Sequence, residues 1–248
     1  MKIIVCVSHV PDTAAKINIR PDGKTIEKSG VNFIISPYDE FAVEESLRLK
    51  EKHNGEVIAV SLGGESHKET LRKALAMGAD RAVLLKDETP RDSYAVARAL
   101  ADLAKELQPD IMFFGKQSVD SDNAAVGSMA AEMLGWPSIS VVVKFELMDR
   151  KVIAEREIEG GHEKIETILP CVISAQKGLN EPRYPSLKGI MAAKNKPIEE
   201  RALPAGQPKV DLLGMKKPPA KSPGKIVGSD VGAIPELVRL LHEEAKVI

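Results

Sequence analysis

The sequence predicts an α/β fold: a doubly wound, mostly parallel sheet with an antiparallel extension and an extended C-terminal arm. Three observations carry this. From Lys2 to Gly135, short runs rich in Val and Ile alternate with amphipathic helical patterns. The links between them are short, as in strand–helix–strand units. After Gly135 the pattern changes to consecutive strand-like runs separated by turn residues.

Lys2 to Val7 is apolar and β-branched, which predicts a central buried strand. Ser8-His9-Val10-Pro11-Asp12-Thr13 is the loop at its carboxyl end. Ile17–Ile19 and Thr25-Ile26 flank the turn signal Pro21-Asp22-Gly23-Lys24, which predicts a hairpin. Ser36 is placed to cap the next helix, Pro37 suits its first position, Asp39 lies near its positive dipole end, and Gly55 stops it. Glu56 to Leu62 is the second strand. Ser66 and Glu69 have capping-box spacing, and Leu71, Ala74, Leu75 and Met77 give that helix an apolar face. Ala82 to Leu85 is the third strand. Asp92 caps a helix with Val96, Ala99, Leu100, Leu103 and Leu107 at core spacing. Ile111 to Gly115 is the fourth strand. The helix after it starts near Asp122 or Asn123.

Ile139–Leu147, Lys151–Ile158 and Lys164–Leu169 read as antiparallel additions, with turns at Asp149-Arg150 and Gly160-Gly161. Cys171–Ala175 is a last apolar strand. The α/β domain is expected over residues 1–190. An arm over 198–248 should lie against a partner chain, because Leu203–Ser229 is proline-punctuated and has no periodicity. An amphipathic helix over Ala233–Val247 closes the chain.

The chain has 248 residues, with 35 Lys and Arg against 36 Asp and Glu. This balance argues against nucleic acid and anionic membranes as partners. Cys6 and Cys171 sit in apolar runs, so both are expected as buried free thiols of a reducing compartment, and no metal site is expected. No apolar run approaches the ~20 residues that span a bilayer. The N-terminus lacks a signal-peptide pattern. A soluble cytoplasmic protein without membrane insertion is expected.

Neither a Gly-x-Gly-x-x-Gly turn nor a Walker A motif is present. The ligand candidate is instead the strand, polar loop and helix start from Ile111 to Ser128. Ligands bind beyond the carboxyl ends of parallel strands, and a helix start offers free N–H groups to a phosphate. Asp120 and Asp122 would repel that phosphate, with Lys116 offsetting them. The aspartates suit ribose hydroxyls or a helix cap, with backbone amides facing the phosphate. The five histidines are scattered, and solvated or structural roles are expected. His9 alone stands at a strand end within reach of a ligand. Glu157 and Glu159 read as alternating charge on an exposed strand. Nothing here predicts a catalytic acid, base or nucleophile. Asn180 to Leu187 is proline-punctuated and suits a preordered loop with one apolar anchor.

Four phrases carry a family resemblance: Ala42-Val43-Glu44-Glu45, Leu75-Ala76-Met77-Gly78-Ala79-Asp80, Gly115-Lys116-Gln117 and Asn180-Glu181-Pro182-Arg183-Tyr184. The chain resembles the β subunits of electron transfer flavoproteins from Met1 to about Pro197. The resemblance implies a Rossmann-like nucleotide domain paired with an α subunit that holds the redox-active FAD. It implies electron transfer from flavin dehydrogenases, such as acyl-CoA dehydrogenases, to a membrane quinone oxidoreductase. It also implies AMP bound structurally by Cys6, Ser36, Leu62 and the run Gly115, Lys116, Gln117, Ser118, Val119, Asp120, Ser121, Asp122, Asn123, Ala124, Ala125 and Val126. Partner docking would fall on a loop over residues 175–197, with Leu187 as anchor beside Arg183 and Tyr184, and on Glu157. Family members that bind AMP read Asp-Asp-Asp-Cys-Asn-Gln-Thr-Gly in the ligand loop. Electron-bifurcating, NADH-oxidising members, with a second FAD in this pocket, read Asp-Gly-Asp-Thr-Ala-Gln-Val-Gly. Asp120 to Gly127 and Val10 to Thr13 lean to the second group, and Glu155 to Gly161 to the first. AMP is the expected ligand and FAD the alternative.

Overall fold

The computed structural model describes residues 1–202, 208–220 and 223–248; Leu203 and Pro204, which open the proline-rich span, lie outside them. The chain begins with β1 (Lys2–Cys6), β2 (His9–Pro11), β3 (Phe33–Ile35), α1 (Pro37–His53) and β4 (Glu56–Gly63). It continues through α2 (His67–Met77), β5 (Arg81–Lys86), α3 (Ser93–Leu107), β6 (Ile111–Gly115) and α4 (Val126–Leu134). Then come β7 (Ser138–Met148), β8 (Lys151–Ile158), β9 (Gly161–Ile168) and β10 (Cys171–Ala175). Last are α5 (Leu187–Asn195), β11 (Ile198–Arg201) and α6 (Ile234–Leu240).

Among the described residues nine strands form the main sheet, in the order β11-β5-β4-β1-β6-β10-β7-β8-β9. Every pairing from β11 to β7 is parallel; β8 and β9 add antiparallel strands at one edge. The predicted doubly wound α/β fold is therefore the observed one. Successive strand side chains point to opposite faces. Ile3, Val5, Val57, Ala59 and Phe113 pack with α1 and α2 through Val43, Leu47, Leu71 and Leu75. Ile4, Ile58, Val60 and Met112 pack on the other face with α3 and α4 through Leu100, Leu103, Ala130 and Ala131. Burial on both faces explains why these strands read as unbroken apolar runs. Cys6 and Cys171 are buried free thiols, as expected.

Several local expectations change. The loop after β1 contains β2, which pairs antiparallel with β3 outside the main sheet. The hairpin over residues 17–26 reduces to one bridge, Ile19 with Ile26, around a turn in which Asp22 accepts from Lys24 and Thr25 amides. Ser66 does not cap α2, because its backbone is already helical (φ −59°, ψ −25°) and its hydroxyl cannot reach back. Asp92 does cap α3, accepting from the Ala95 amide at 2.8 Å. Neither α5 nor β11 is predicted. α5 is capped by Ser186, which accepts from the Gly189 amide at 3.0 Å. β11 extends the sheet beyond β5 through residues assigned to the arm. The C-terminal helix is shorter than predicted and continues as a π turn over Leu241–Ala245.

Candidate functional site

The strand order reverses beside β1: the chain runs to β4 and β5 on one side, then crosses to β6 on the other. Crevices at such switch points, at the carboxyl ends of the strands, are where doubly wound folds place ligands. A cleft of about 290 Å³ occupies this point. Its floor is Cys6 at the end of β1, Leu62 near the end of β4, and Gly115 at the end of β6.

One buried carboxylate ties the floor together. Asp39, in the first turn of α1, accepts the Ser8 amide on Oδ2 at 2.7 Å and the Gly115 amide on Oδ1 at 2.9 Å. It thus clips the end of β6 to the residues just after β1. The sequence suggests only a dipole role for Asp39. Burial pushes its carboxyl up to about 7, and neighbouring Asp120 adds to this, against the pull of the two amides. The unfolded value is about 3.9. A raised folded value means that this group's contribution to stability is full below the unfolded value and is lost as pH rises through about 7. Between pH 4 and pH 7 the loss should be about 3 kcal/mol. Asp39→Asn should flatten that slope in thermal melts. Parallel wild-type and variant profiles would refute the assignment.

The polar loop departs from its prediction. α4 starts at Val126, not near Asp122, because Asp122 and Ala124 adopt left-handed backbone (φ 52° and 50°). Such residues cost about 1–2 kcal/mol each and concentrate at ligand sites. The aspartates do not cap the helix. Asp122 accepts from Gln117 Nε2 at 2.7 Å, and Asp120 from Ser118 Oγ at 2.5 Å. Ala125 precedes α4 with no side-chain cap, so the first amides of the helix are available to an anion.

Of the run Gly115–Val126, all but Val119 and Asp122 line the cleft. Val119 is half-buried beside it. Ser36 is fully buried outside the lining, makes no cap bond, and sets its Oγ 3.5 Å from the Gln117 carbonyl. It supports the loop from behind.

The structure also brings in residues that sequence reasoning missed. His67 joins His9 in the cleft, with ring centroids 4.8 Å apart. His67 Nδ1 is hydrogen-bonded with Ser61 Oγ at 2.9 Å and His9 Nδ1 with Thr70 Oγ1 at 2.7 Å. Burial lowers both histidines, and His67 falls to about 4, so both rings are neutral at pH 7. Arg91 and Ser93 reach the cleft from the β5–α3 connection. The available signal was positional: every strand-to-helix connection of a parallel sheet emerges on the same edge.

The second candidate surface is assembled from two phrases far apart in sequence. Asn180 donates to the Phe41 carbonyl at 3.0 Å and to Glu45 Oε2 at 2.9 Å. Arg183 donates through Nε to Glu44 Oε2 at 2.8 Å and through Nη1 to Glu51 at 2.5 Å. Its charge is committed to α1, where it fixes the loop. Tyr184 and Leu187 are left 95% and 82% exposed. Leu187 opens α5 and lies on one stripe with the exposed Ile190 and Met191. Arg72 and Lys196 tie the end of α5 to the body, donating to the carbonyls of Ala193 and Ala79. Glu157, at the end of β8, accepts from Gln176 at 3.0 Å.

A doubly wound α/β protein with a ligand cleft at its topological switch point and a rigidly mounted apolar surface is thereby defined. The model of the electron transfer flavoprotein domain matches residues 23–205. The electron transfer flavoprotein subunit beta of Bacillus subtilis is 42% identical over 259 aligned residues, covering all of both chains. The subunit of the same name from Syntrophomonas wolfei is 44% identical over 90% of this chain and 88% of its own. That from Mus musculus is 39% identical over 100% of this chain and 99% of its own. The chain belongs to the electron transfer flavoprotein family and is a β subunit of that family.

Proposed function

We propose that this β subunit pairs with an electron transfer flavoprotein α subunit and binds AMP structurally in the switch-point cleft. In this reading it docks flavin dehydrogenases, such as acyl-CoA dehydrogenases, for electron transfer onward to a quinone oxidoreductase. The observation that carries it is the cleft itself. Its strand ends are clipped by Asp39, it has uncapped α4 amides for a phosphate, and its two imidazoles are neutral and hydrogen-bonded rather than poised for proton transfer. Such a site binds and orients. FAD, held mainly by the α subunit, supplies the electron storage. The exposed apolar residues of the arm, among them Leu212, Leu213 and Ile226, suit burial against the α subunit. Among the described residues no helix is long and apolar enough to cross a membrane.

The loop Asp120 to Gly127 supports a second reading, in which FAD occupies the cleft of a bifurcating, NADH-oxidising enzyme. Purification of the αβ pair and quantification of bound cofactor separates the two. One FAD with one AMP per dimer is expected; two FAD per dimer overturns the AMP reading.

Leu187 is the expected anchor for the dehydrogenase. A solvent-facing first residue of a capped helix contributes little to folding, so Leu187→Ala should change stability by less than about 0.5 kcal/mol. It should weaken dehydrogenase docking about tenfold, within the range for a central apolar contact. An unchanged KM for the flavoprotein in a coupled dehydrogenase assay would refute the anchor role.

A further inference from the structure

Arg91 is the cationic side chain of the cleft that neither the loop pattern nor the family resemblance assigns. It stands in the connection between β5 and α3, and Asp87 holds it: Nε and Nη2 each lie 2.6 Å from Asp87 Oδ2. Asp87 is itself fixed, accepting the Thr89 amide on Oδ1 at 2.9 Å. The Arg91 and Asp87 side chains are only 19% and 14% exposed, against 49% and 38% for the equally spaced Arg98–Asp102 pair on the helix surface. An ordinary surface ion pair is not held this far from water. The pairing occupies one side of the guanidinium fork, and Nη1 has no hydrogen-bond partner among the described residues.

The ligand loop is joined to this wall. Asn123 Nδ2 donates to Ser93 Oγ at 3.1 Å, two residues from Arg91. The loop and Arg91 line one cleft. The charges lining that space are Lys116 and Arg91 against Asp39 and Asp120. Asp39 is consumed by the Ser8 and Gly115 amides. Lys116 Nζ lies 5.5 Å from the centre of the Tyr38 ring. The sequence-level difficulty, two aspartates offset by one lysine, is relieved by a second, preoriented cation from a different connection.

We propose that Arg91 is a phosphate-binding residue of this cleft, taking the 5′-phosphate group of an adenine nucleotide through its uncommitted face while Asp87 holds it in position. This rests on the nucleotide reading given above. A planar guanidinium anchored on one side is suited to bidentate phosphate recognition, and its long stem needs such an anchor to limit the entropy lost on binding.

Titration calorimetry of the nucleotide-stripped αβ complex with AMP, ADP and adenosine tests it. Arg91→Gln should raise the Kd of AMP about tenfold, within the range for a charged hydrogen bond. It should leave adenosine within twofold. Arg91→Lys keeps a charge beside Asp87 without the fork and should fall between. Asp87→Asn, which loosens Arg91 without removing it, should weaken AMP and spare adenosine. A loss seen for ADP but not AMP overturns the 5′-phosphate assignment, since AMP carries that same phosphate. Equal losses for adenosine and AMP, or no change for either nucleotide, overturn the phosphate role. A wild-type complex that binds none of AMP, ADP and adenosine overturns the nucleotide reading together with it.

Discussion

Gly115→Ala is expected to destabilise the protein by about 3–4 kcal/mol and to abolish nucleotide binding. A Cβ at this position would overlap the Asp39 carboxylate and sit 2.6 Å from the Tyr38 carbonyl carbon and 2.7 Å from the Asp39 amide nitrogen. Most of these atoms are backbone at the start of a helix, so nothing flexible can yield. Overpacking of this kind costs about 1–3 kcal/mol. Pushing α1 away also strains the bonds from the Ser8 and Gly115 amides to a buried carboxylate, each worth about 1.5–3 kcal/mol. Gly161→Ala is the control, since a Cβ there meets nothing within 4 Å. It should stay within about 0.5 kcal/mol of wild type. Urea unfolding and AMP titration check both. A Gly115→Ala protein less than about 1 kcal/mol weaker, with AMP affinity intact, would refute the clip as the organiser of the cleft.

The second large effect is expected at Arg183. Its guanidinium serves Glu44, whose side chain is 4% exposed, and reaches on to Glu51. Burial pushes the Glu44 carboxyl up, but the bonds from Arg183 and Arg48 overcome this and hold it below the usual carboxylate range. Arg183→Ala leaves Glu44 with Arg48 and the backbone amide of residue 183, without its main cationic partner. Breaking a buried pair costs about 3–5 kcal/mol. Arg183 is itself about one-third exposed, so water tempers the loss and about 2–3 kcal/mol is expected. The pH dependence has a definite sign. A carboxyl lowered by folding gives stability that is present above its unfolded value, about 4.3, and is lost as pH falls through its folded value. The gap between wild type and Arg183→Ala should therefore narrow in acid. Changing Glu44 and Arg183 together to Ala should recover part of the loss, because no carboxylate is then stranded. Full additivity in that cycle would sink the pairing as the loop's support.

Much of the fold was legible because its signals are local. The apolar runs of β1, β4, β5 and β6 and the helical spacing of α3 lie within a few residues, and each link is too short to allow another order. Asp92 as a cap was legible for the same reason. Ser66 was misleading because capping-box spacing says nothing about the backbone angles at the first residue. β2 and β11 were missed because three- and four-residue strands carry no periodicity. α5 was missed because the prolines before it and Gly189 within it both argue against a helix, whereas Gly189 is there to admit the Ala76 carbonyl of α2. For the cleft, the loop Gly115–Val126 was identified from its place after a strand. Its left-handed turns at Asp122 and Ala124 were not, since neither residue type demands them.

By itself, the sequence determined a doubly wound sheet, the edge of that sheet where a ligand loop would lie, two buried thiols, and a family whose phrases could be read off one at a time. The tertiary structure alone decided what those phrases do together. It put Asp39 against an amide 76 residues away, paired Asn180 with Glu45 across 135 residues and Arg183 with Glu44 across 139, and set Arg91 in the same cleft as a loop it does not adjoin. Periodicity reports which side of an element is buried. It carries no information about which buried or half-buried charges will meet, and in this protein those meetings build both the cleft and the mount of the exposed Tyr184–Leu187 surface.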